Sequence, residues 1–336
     1  MLRAGIIGCG GITERRHGPV LAGLEDRVEV ATLADLSPQR TALMGEKLGV
    51  AAAHQYGDWE DMLRREELDL VHICTPHHLH EPQAIAALQA GAHVLLEKPL
   101  CTTLEEADRM VAAARAAKRK MTVSHNQLFS AEHLAIMARL RAGDIGQVFL
   151  VRSEGLSRSH VQGRGVDQHW RTQSTAGGGG PLIDNGFHQI YRAVDYVGSR
   201  AKRVYAQVGR HVQDIEVEDM ALLLIEHESG ATTSIQVGWC AAAGSVGVHE
   251  VFGTEGQIRI GGEPALWRNS AGAWAPIEVA QEEADRLGFP AVVQQFIEAI
   301  ETDGEVPVPA EDSRHVLAIV LGAYASGRSG RAVEIA

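Results

Sequence analysis

Several features that would assign a class at once are missing from this sequence. Only four of its 336 residues are cysteine (Cys9, Cys74, Cys101 and Cys240), without a Cys-x-x-Cys pair or a histidine at zinc-finger spacing. That pattern excludes a disulfide framework and a structural zinc, and no metal is expected. No apolar run approaches the ~20 residues that a membrane-spanning helix needs. Positive charge is in deficit: 31 Lys and Arg against 43 Asp and Glu give a formal charge of −12. A sequence-independent hold on nucleic-acid phosphates is therefore not expected. The chain opens directly on a strand-like run, Ala4-Gly5-Ile6-Ile7, without a charged leader and cleavage site, so the expectation is a reduced, cytoplasmic protein. No internal repeat or low-complexity tract is present.

The remaining composition, 45% hydrophobic and 22% charged, is that of an ordinary globular protein. Its length exceeds what one core usually supports, which predicts two domains. Up to about residue 122 the chain alternates short apolar runs with amphipathic stretches. The runs Leu2–Ile7, Val28–Ala34, Leu68–Ile73, His93–Leu96 and Met121–Ser124 read as strands. Helices are expected over Pro38–Leu48, Trp59–Arg65, Pro82–Ala90 and Leu104–Ala117. Such alternation implies a doubly wound parallel sheet covered on both faces. From about residue 201, turn-linked runs (Val204–Val208, Met220–His227, Thr232–Cys240, Val246–Phe252, Gln257–Ile260) suggest an antiparallel meander. Helices over Ala291–Glu301 and Asp312–Tyr324 complete a second, α+β domain. The expected division is 1–122 for nucleotide binding and 123–336 for substrate and assembly.

The first chemical signal is Gly8-Cys9-Gly10-Gly11-Ile12-Thr13, directly after the first strand. Gly8 and Gly10 fit the first two positions of the dinucleotide fingerprint, where a missing Cβ lets backbone N–H groups approach a pyrophosphate. The third position is Thr13, which predicts looser helix–strand packing. Asp35 ends the next strand, placed to accept hydrogen bonds from both ribose hydroxyls and to repel a 2′-phosphate. NAD is therefore favoured, with Arg40 leaving NADP as the alternative. Two more loops leave strand ends, Cys74-Thr75-Pro76-His77-His78-Leu79-His80 and Glu97-Lys98-Pro99. The histidines read as a polar helix N-terminus before they read as ligand contacts. Lys98 follows a fully apolar strand, so it points toward a nicotinamide site, with Pro99 setting the chain direction through a cis peptide or otherwise.

The run Gly177-Gly178-Gly179-Gly180 enters a helix at Pro181, and Asp184 and His188 fall four residues apart on one face with Tyr191. A carboxylate beside an imidazole can move a proton near neutral pH, although the same spacing also suits a surface contact.

Taken in order, these motifs resemble the Gfo/Idh/MocA oxidoreductases. The resemblance also takes in Asn126, Asp144-Ile145-Gly146-Gln147, Trp170-Arg171 and Tyr324-Ala325-Ser326-Gly327-Arg328. It implies an N-terminal Rossmann domain and a C-terminal domain with a large, mainly antiparallel open-faced sheet, through which a homodimer or homotetramer forms. It implies a catalytic triad at Lys98, Asp184 and His188, and cofactor contacts from Gly8, Gly10, Gly11, Ile12, Asp35, Arg40, Thr75, Pro76, His80, Glu97, Lys98, Asn126, Trp170 and Arg171. Departures from the family pattern are Thr13, His77 in place of a common Asn, Leu128 in place of a common Arg, and Tyr191 in place of an Asp.

The activity implied is NAD(P)-dependent oxidation of a secondary hydroxyl of a sugar, anhydrosugar or cyclic polyol to a ketone. Besides Lys98, Asp184 and His188, the expected substrate contacts are His160, Asp167, His169 and Trp239. A rival reading keeps the cofactor but uses transient oxidation to cleave or eliminate a glycoside. Another is a ligand-sensing regulator, against which retention of the triad argues.

Overall fold

The computed structural model describes residues 1–157, 170–242, 247–280 and 287–335. Contacts group the chain into two compact units, Met1–Asn126 with Phe289–Arg314, and Gln127–Gly288 with His315–Ala336. A cut into two continuous stretches cannot express this return of a distal segment to the first unit.

The first unit holds strands β1 (Leu2–Ile7), β2 (Val28–Ala34), β3 (Gln55–Tyr56), β4 (Leu70–Ile73), β5 (His93–Leu96) and β6 (Met121–Val123). They pair in the order β3-β2-β1-β4-β5-β6, all parallel. The order reverses between β1 and β4, the place where sheets of this kind collect ligands at their carboxyl ends. Every residue of β4 and β6 is buried, as expected of strands covered on both faces. Helix Leu104–Ala117 starts where expected, on a capping box in which Thr103 and Glu106 each serve the other's main chain. The returning segment packs through Val292, Val293, Phe296 and Ile297 of helix Phe289–Glu301, all fully buried. Farther along it, the Thr122 hydroxyl donates to the Val308 carbonyl at 2.9 Å.

The second unit is built on a nine-stranded sheet of β7 (Val148–Leu156), β8 (Ala201–Gly209), β9 (Met220–His227), β10 (Thr232–Gly238), β11 (Val248–Gly253), β12 (Gly256–Ile260), β13 (Ala265–Arg268), β14 (Trp274–Pro276) and β15 (Val333–Glu334). The order is β14-β13-β12-β11-β7-β10-β9-β8-β15, antiparallel except between β7 and β10. Helices Ala131–Arg141 and Phe187–Val197 cover one face, where Ile136, Val151, Ala193, Tyr196, Val251 and Ile258 share a core. Alternate residues point to the other face, and Leu224 on β9 remains 49% exposed there. The open, mainly antiparallel sheet is as expected; helix Ala131–Arg141 is an addition to it. Among the described residues, no helix is long and apolar enough to cross a membrane.

Candidate active site

In the first unit the motif residues gather at the carboxyl ends of β1, β2, β4, β5 and β6. Gly8 turns the chain at φ +94°, and a Cβ there would lie 2.6 Å from the Cys74 carbonyl oxygen. Adjacent strands β1 and β4 thus approach too closely for any side chain at this position. At Gly10 an added Cβ would meet nothing within 4 Å, so its backbone faces open space, as a pyrophosphate cradle requires. The Arg15 guanidinium lies against Gly11, a cation beside the same turn. These residues fit a dinucleotide. Thr13 is held within the turn. It is fully buried and its hydroxyl donates to the Gly8 carbonyl at 2.5 Å, while the helix widens into a π turn over Thr13–His17.

Asp35 sits beside this turn with its carboxylate oriented by main-chain amides, from Cys9 at 2.7 Å and Ser37 at 2.8 Å. Arg40 donates from Nε to the Cys9 carbonyl at 2.7 Å and contacts Glu14 through its terminal nitrogen at 3.0 Å.

The loops after β4 and β5 are joined by His80, fully buried with ring nitrogens 2.8 Å from the Pro99 carbonyl and 3.0 Å from that of Thr75. Burial lowers its pKa, against the two carbonyls, which favour the charged ring. Thr75 in turn donates its hydroxyl to Gln83 at 2.6 Å. The Lys98–Pro99 peptide is cis. Glu97 turns inward: it is 8% exposed, and one oxygen lies 2.8 Å from Nε2 of His17. Burial works against a charge on His17, but Cys74 and Glu97 outweigh it and raise its pKa to about 10. The partner ring, His72, is pushed the opposite way by burial and by His17 itself. Next to Asn126, which is also buried, His125 bonds Ser313 at 3.0 Å. Burial, reinforced by the Lys98 ammonium, pushes His125 down to about 3.

In the second unit the glycine run has a steric cause. A Cβ on Gly179 would collide with the Tyr324 hydroxyl, and one on Gly180 with the Glu218 carbonyl. Glu218 accepts hydrogen bonds from the amides of Gly180 (2.9 Å) and Leu182 (3.0 Å) and from the Tyr324 hydroxyl (2.8 Å). This buried carboxylate closes the start of the helix that carries both motif residues. The start is a π turn over Leu182–Gly186, continuing as helix Phe187–Val197. Asp184, 7% exposed, pairs with Nε of Arg171 at 3.2 Å, and the same guanidinium lies 4.2 Å over the Trp170 ring. His188 is half-buried, with Nδ1 2.6 Å from the Tyr191 hydroxyl, which also accepts the Gln127 amide at 3.2 Å.

Trp239 is fully buried and donates its indole N–H to Asn185 at 2.6 Å, so it packs behind the motif turn. His160, Asp167 and His169 lie outside the described residues. Sequence reasoning missed Arg15, His17, His125 and Glu218. Only His17 and His125 carried a signal, one inside the glycine-turn helix and one immediately before Asn126.

Comparison with known proteins agrees with the geometry. Residues 2–125 match the model of an oxidoreductase family with an NAD-binding Rossmann fold, and residues 133–259 match the GFO/IDH/MocA C-terminal domain. The chain is 31% identical to the dTDP-3,4-didehydro-2,6-dideoxy-alpha-D-glucose 3-reductase of Actinomadura kijaniata, over 70% of this chain and 68% of the relative. It is 28% identical to the D-apiose dehydrogenase of Paraburkholderia graminis, over 99% of this chain and 89% of the relative. Among solved structures, the aldose-aldose oxidoreductase of Caulobacter crescentus, complexed with glycerol, superposes with a TM-score of 0.87 at 25% identity, covering 99% of each chain.

Proposed function

The chain belongs to the Gfo/Idh/MocA oxidoreductase family and takes NAD as its cofactor, and from that premise we propose that it oxidises a secondary hydroxyl of a sugar, anhydrosugar or cyclic polyol to a ketone, reversibly. The observation that carries this reading is the π turn Leu182–Gly186 and the helix Phe187–Val197 that continues it, which hold a carboxylate and an imidazole by separate partners, Asp184 by Arg171 and His188 by Tyr191. Groups held this way are ready to act on a polar substrate without first reorganising. Dehydrogenase and reductase relatives of sugar-type compounds support the substrate class.

NAD, when bound, supplies the hydride acceptor. His188 takes the hydroxyl proton. With Nδ1–H donated to the Tyr191 oxygen, Nε2 is the basic nitrogen, and the ring plane is set by a partner three residues along the same helix. Tyr191, at a position where the family often has an Asp, thereby orients the ring. Asp184, its charge balanced by Arg171, binds a neighbouring hydroxyl and favours the protonated imidazole. Lys98, as an ammonium, donates to the reacting oxygen and stabilises the negative charge that develops there. Gly8, Gly10 and Gly11 take the pyrophosphate and Asp35 the ribose, while Glu97 and His80 act by holding the loops around Lys98. His160, Asp167 and His169 are assigned to further substrate hydroxyls. The part-exposed face of the nine-stranded sheet is assigned to a homodimer or homotetramer.

Replacing His188 with Ala tests the assignment. Turnover of a responsive sugar or polyol is expected to fall on the order of 10²–10⁴-fold, while NADH still binds by fluorescence titration. Unchanged turnover would remove His188 from the mechanism. Substrate identity is sought by following NADH absorbance across aldoses, anhydrosugars, polyols and glycosides. Glycoside cleavage without NADH accumulation would favour transient oxidation instead.

A further inference from the structure

The selectivity of the adenosine end turns on which charges are available around Asp35. A ribose bearing free hydroxyls needs an acceptor there, whereas a 2′-phosphate needs cations. Besides Arg15, which lies against Gly11, two cations of the helix that follows Asp35 reach the turn. Arg40 is tied to the Cys9 carbonyl, and the Cys9 amide is tied to Asp35, so the guanidinium is one residue removed from the ribose-binding carboxylate. Lys47 stands two turns farther along the same helix, Pro38–Leu48.

Both are already engaged, and by one residue. Glu14 receives Arg40 on one carboxylate oxygen at 3.0 Å and Lys47 on the other at 2.6 Å. It lies immediately after Thr13, inside the π turn that follows the glycine turn. Each oxygen of Glu14 thus holds one of these two cations, so an added phosphate could recruit either of them only by breaking its pair. The pairs are partly exposed (27% for Glu14, 31% for Arg40, 46% for Lys47), so they are weak enough to be exchanged rather than permanently locked.

We propose that Glu14 is a specificity-determining residue that excludes the 2′-phosphate of NADP by occupying Arg40 and Lys47, acting alongside Asp35. The glycine turn and Asp35 admit the dinucleotide, and Glu14 rejects its phosphorylated form. This deepens the assignment of residues 1–122 to NAD and rests on that cofactor reading.

The test is a fluorescence titration of the full-length protein with NADH and with NADPH, for the wild type, Glu14→Gln, and Glu14→Gln combined with Arg40→Gln. In Glu14→Gln the ratio of NADPH to NADH affinity is expected to rise on the order of tenfold, as freed cations make charge-assisted bonds to phosphate. The gain should shrink at high salt and disappear when Arg40 is also replaced. An unchanged ratio in Glu14→Gln, with NADH still bound, would overturn the role of Glu14 alone. A gain that survives the loss of Arg40 would overturn the capture of Arg40. A wild-type protein binding neither nucleotide would remove the cofactor reading together with this one.

Discussion

In the first unit several of the groups at the strand ends rest against main chain. Gly8 abuts the Cys74 carbonyl, Asp35 takes amides from Cys9 and Ser37, and His80 stands between the carbonyls of Thr75 and Pro99. In the second unit the motif helix rests largely on side chains: Asp184 on Arg171, His188 on Tyr191, Asn185 on Trp239, and Glu218 bridging two amides and Tyr324. Both segments begin with a π turn, a feature often found at functional positions. What separates them is what holds them. A site leaning on main chain tolerates changes in surrounding side chains but not an added Cβ. A site leaning on side chains has the reverse sensitivity.

The largest expected effect breaks the main-chain side of that contrast. Gly8→Ala places a methyl against a backbone oxygen at positive φ, so it should destabilise the protein by about 3 kcal/mol and abolish NADH binding. Denaturant unfolding with NADH titration measures both. If Gly8→Ala binds NADH normally, the close approach of β1 and β4 is not what shapes the turn. The next effect breaks the side-chain side. Glu218→Ala strands two amides and a buried phenol, at an expected cost of about 2 kcal/mol, whereas Glu218→Gln keeps an acceptor and should lose less. Equal losses in the two variants would mean that charge rather than acceptor capacity holds the motif helix.

A third comparison of the two units is by pH. His125 in the first unit is pushed down to about 3 by burial and Lys98, and His249 in the second to about 4 by burial and Arg192. With folded-state pKa values below the ordinary 6.5, each ring contributes stability that is present above pH 6.5. That contribution is lost as pH falls, because the unfolded chain binds a proton that the folded chain refuses, at about 1.4 kcal/mol per pH unit and group. His125→Asn should flatten the decline in denaturant stability between pH 6 and roughly 4, and His249→Asn should do so over a slightly narrower window. A slope unchanged by either substitution would show that those rings are not the ones resisting protonation.

Much of the first unit was legible because its constraints are local. A glycine turn after an apolar strand, an acid at the next strand end and a Lys-Pro loop after a third each state their geometry within a few residues. The strand runs near residues 2, 28 and 93 match their observed bounds for the same reason. At Thr13 the size was visible in the sequence while its partner, the Gly8 carbonyl, was not. In the second unit Asp184 and His188 were legible as a pair four apart on a helix. The pairing of Asp184 with Arg171 and the Glu218–Tyr324 support behind the turn were not, since Arg171 lies outside that helix and Glu218 and Tyr324 are separated by 106 residues. The glycine run read as a loop entering a helix, and the cause of Gly179 and Gly180 is the pressure of those two distant residues.

Composition, periodicity and short motifs alone determined an α/β protein with a nucleotide-binding turn, and which side chains were chemically able to move a proton. Those properties follow from backbone geometry and pKa chemistry that act within a strand, a turn or one helical repeat. Tertiary structure decided which partner each of those groups received: Glu97 to His17, Asp184 to Arg171, Arg40 and Lys47 to Glu14. It also decided that Phe289–Arg314 returns to the first unit. Such pairings depend on loop closures across tens to hundreds of residues, and their selection comes from burial and close packing, which no local pattern encodes.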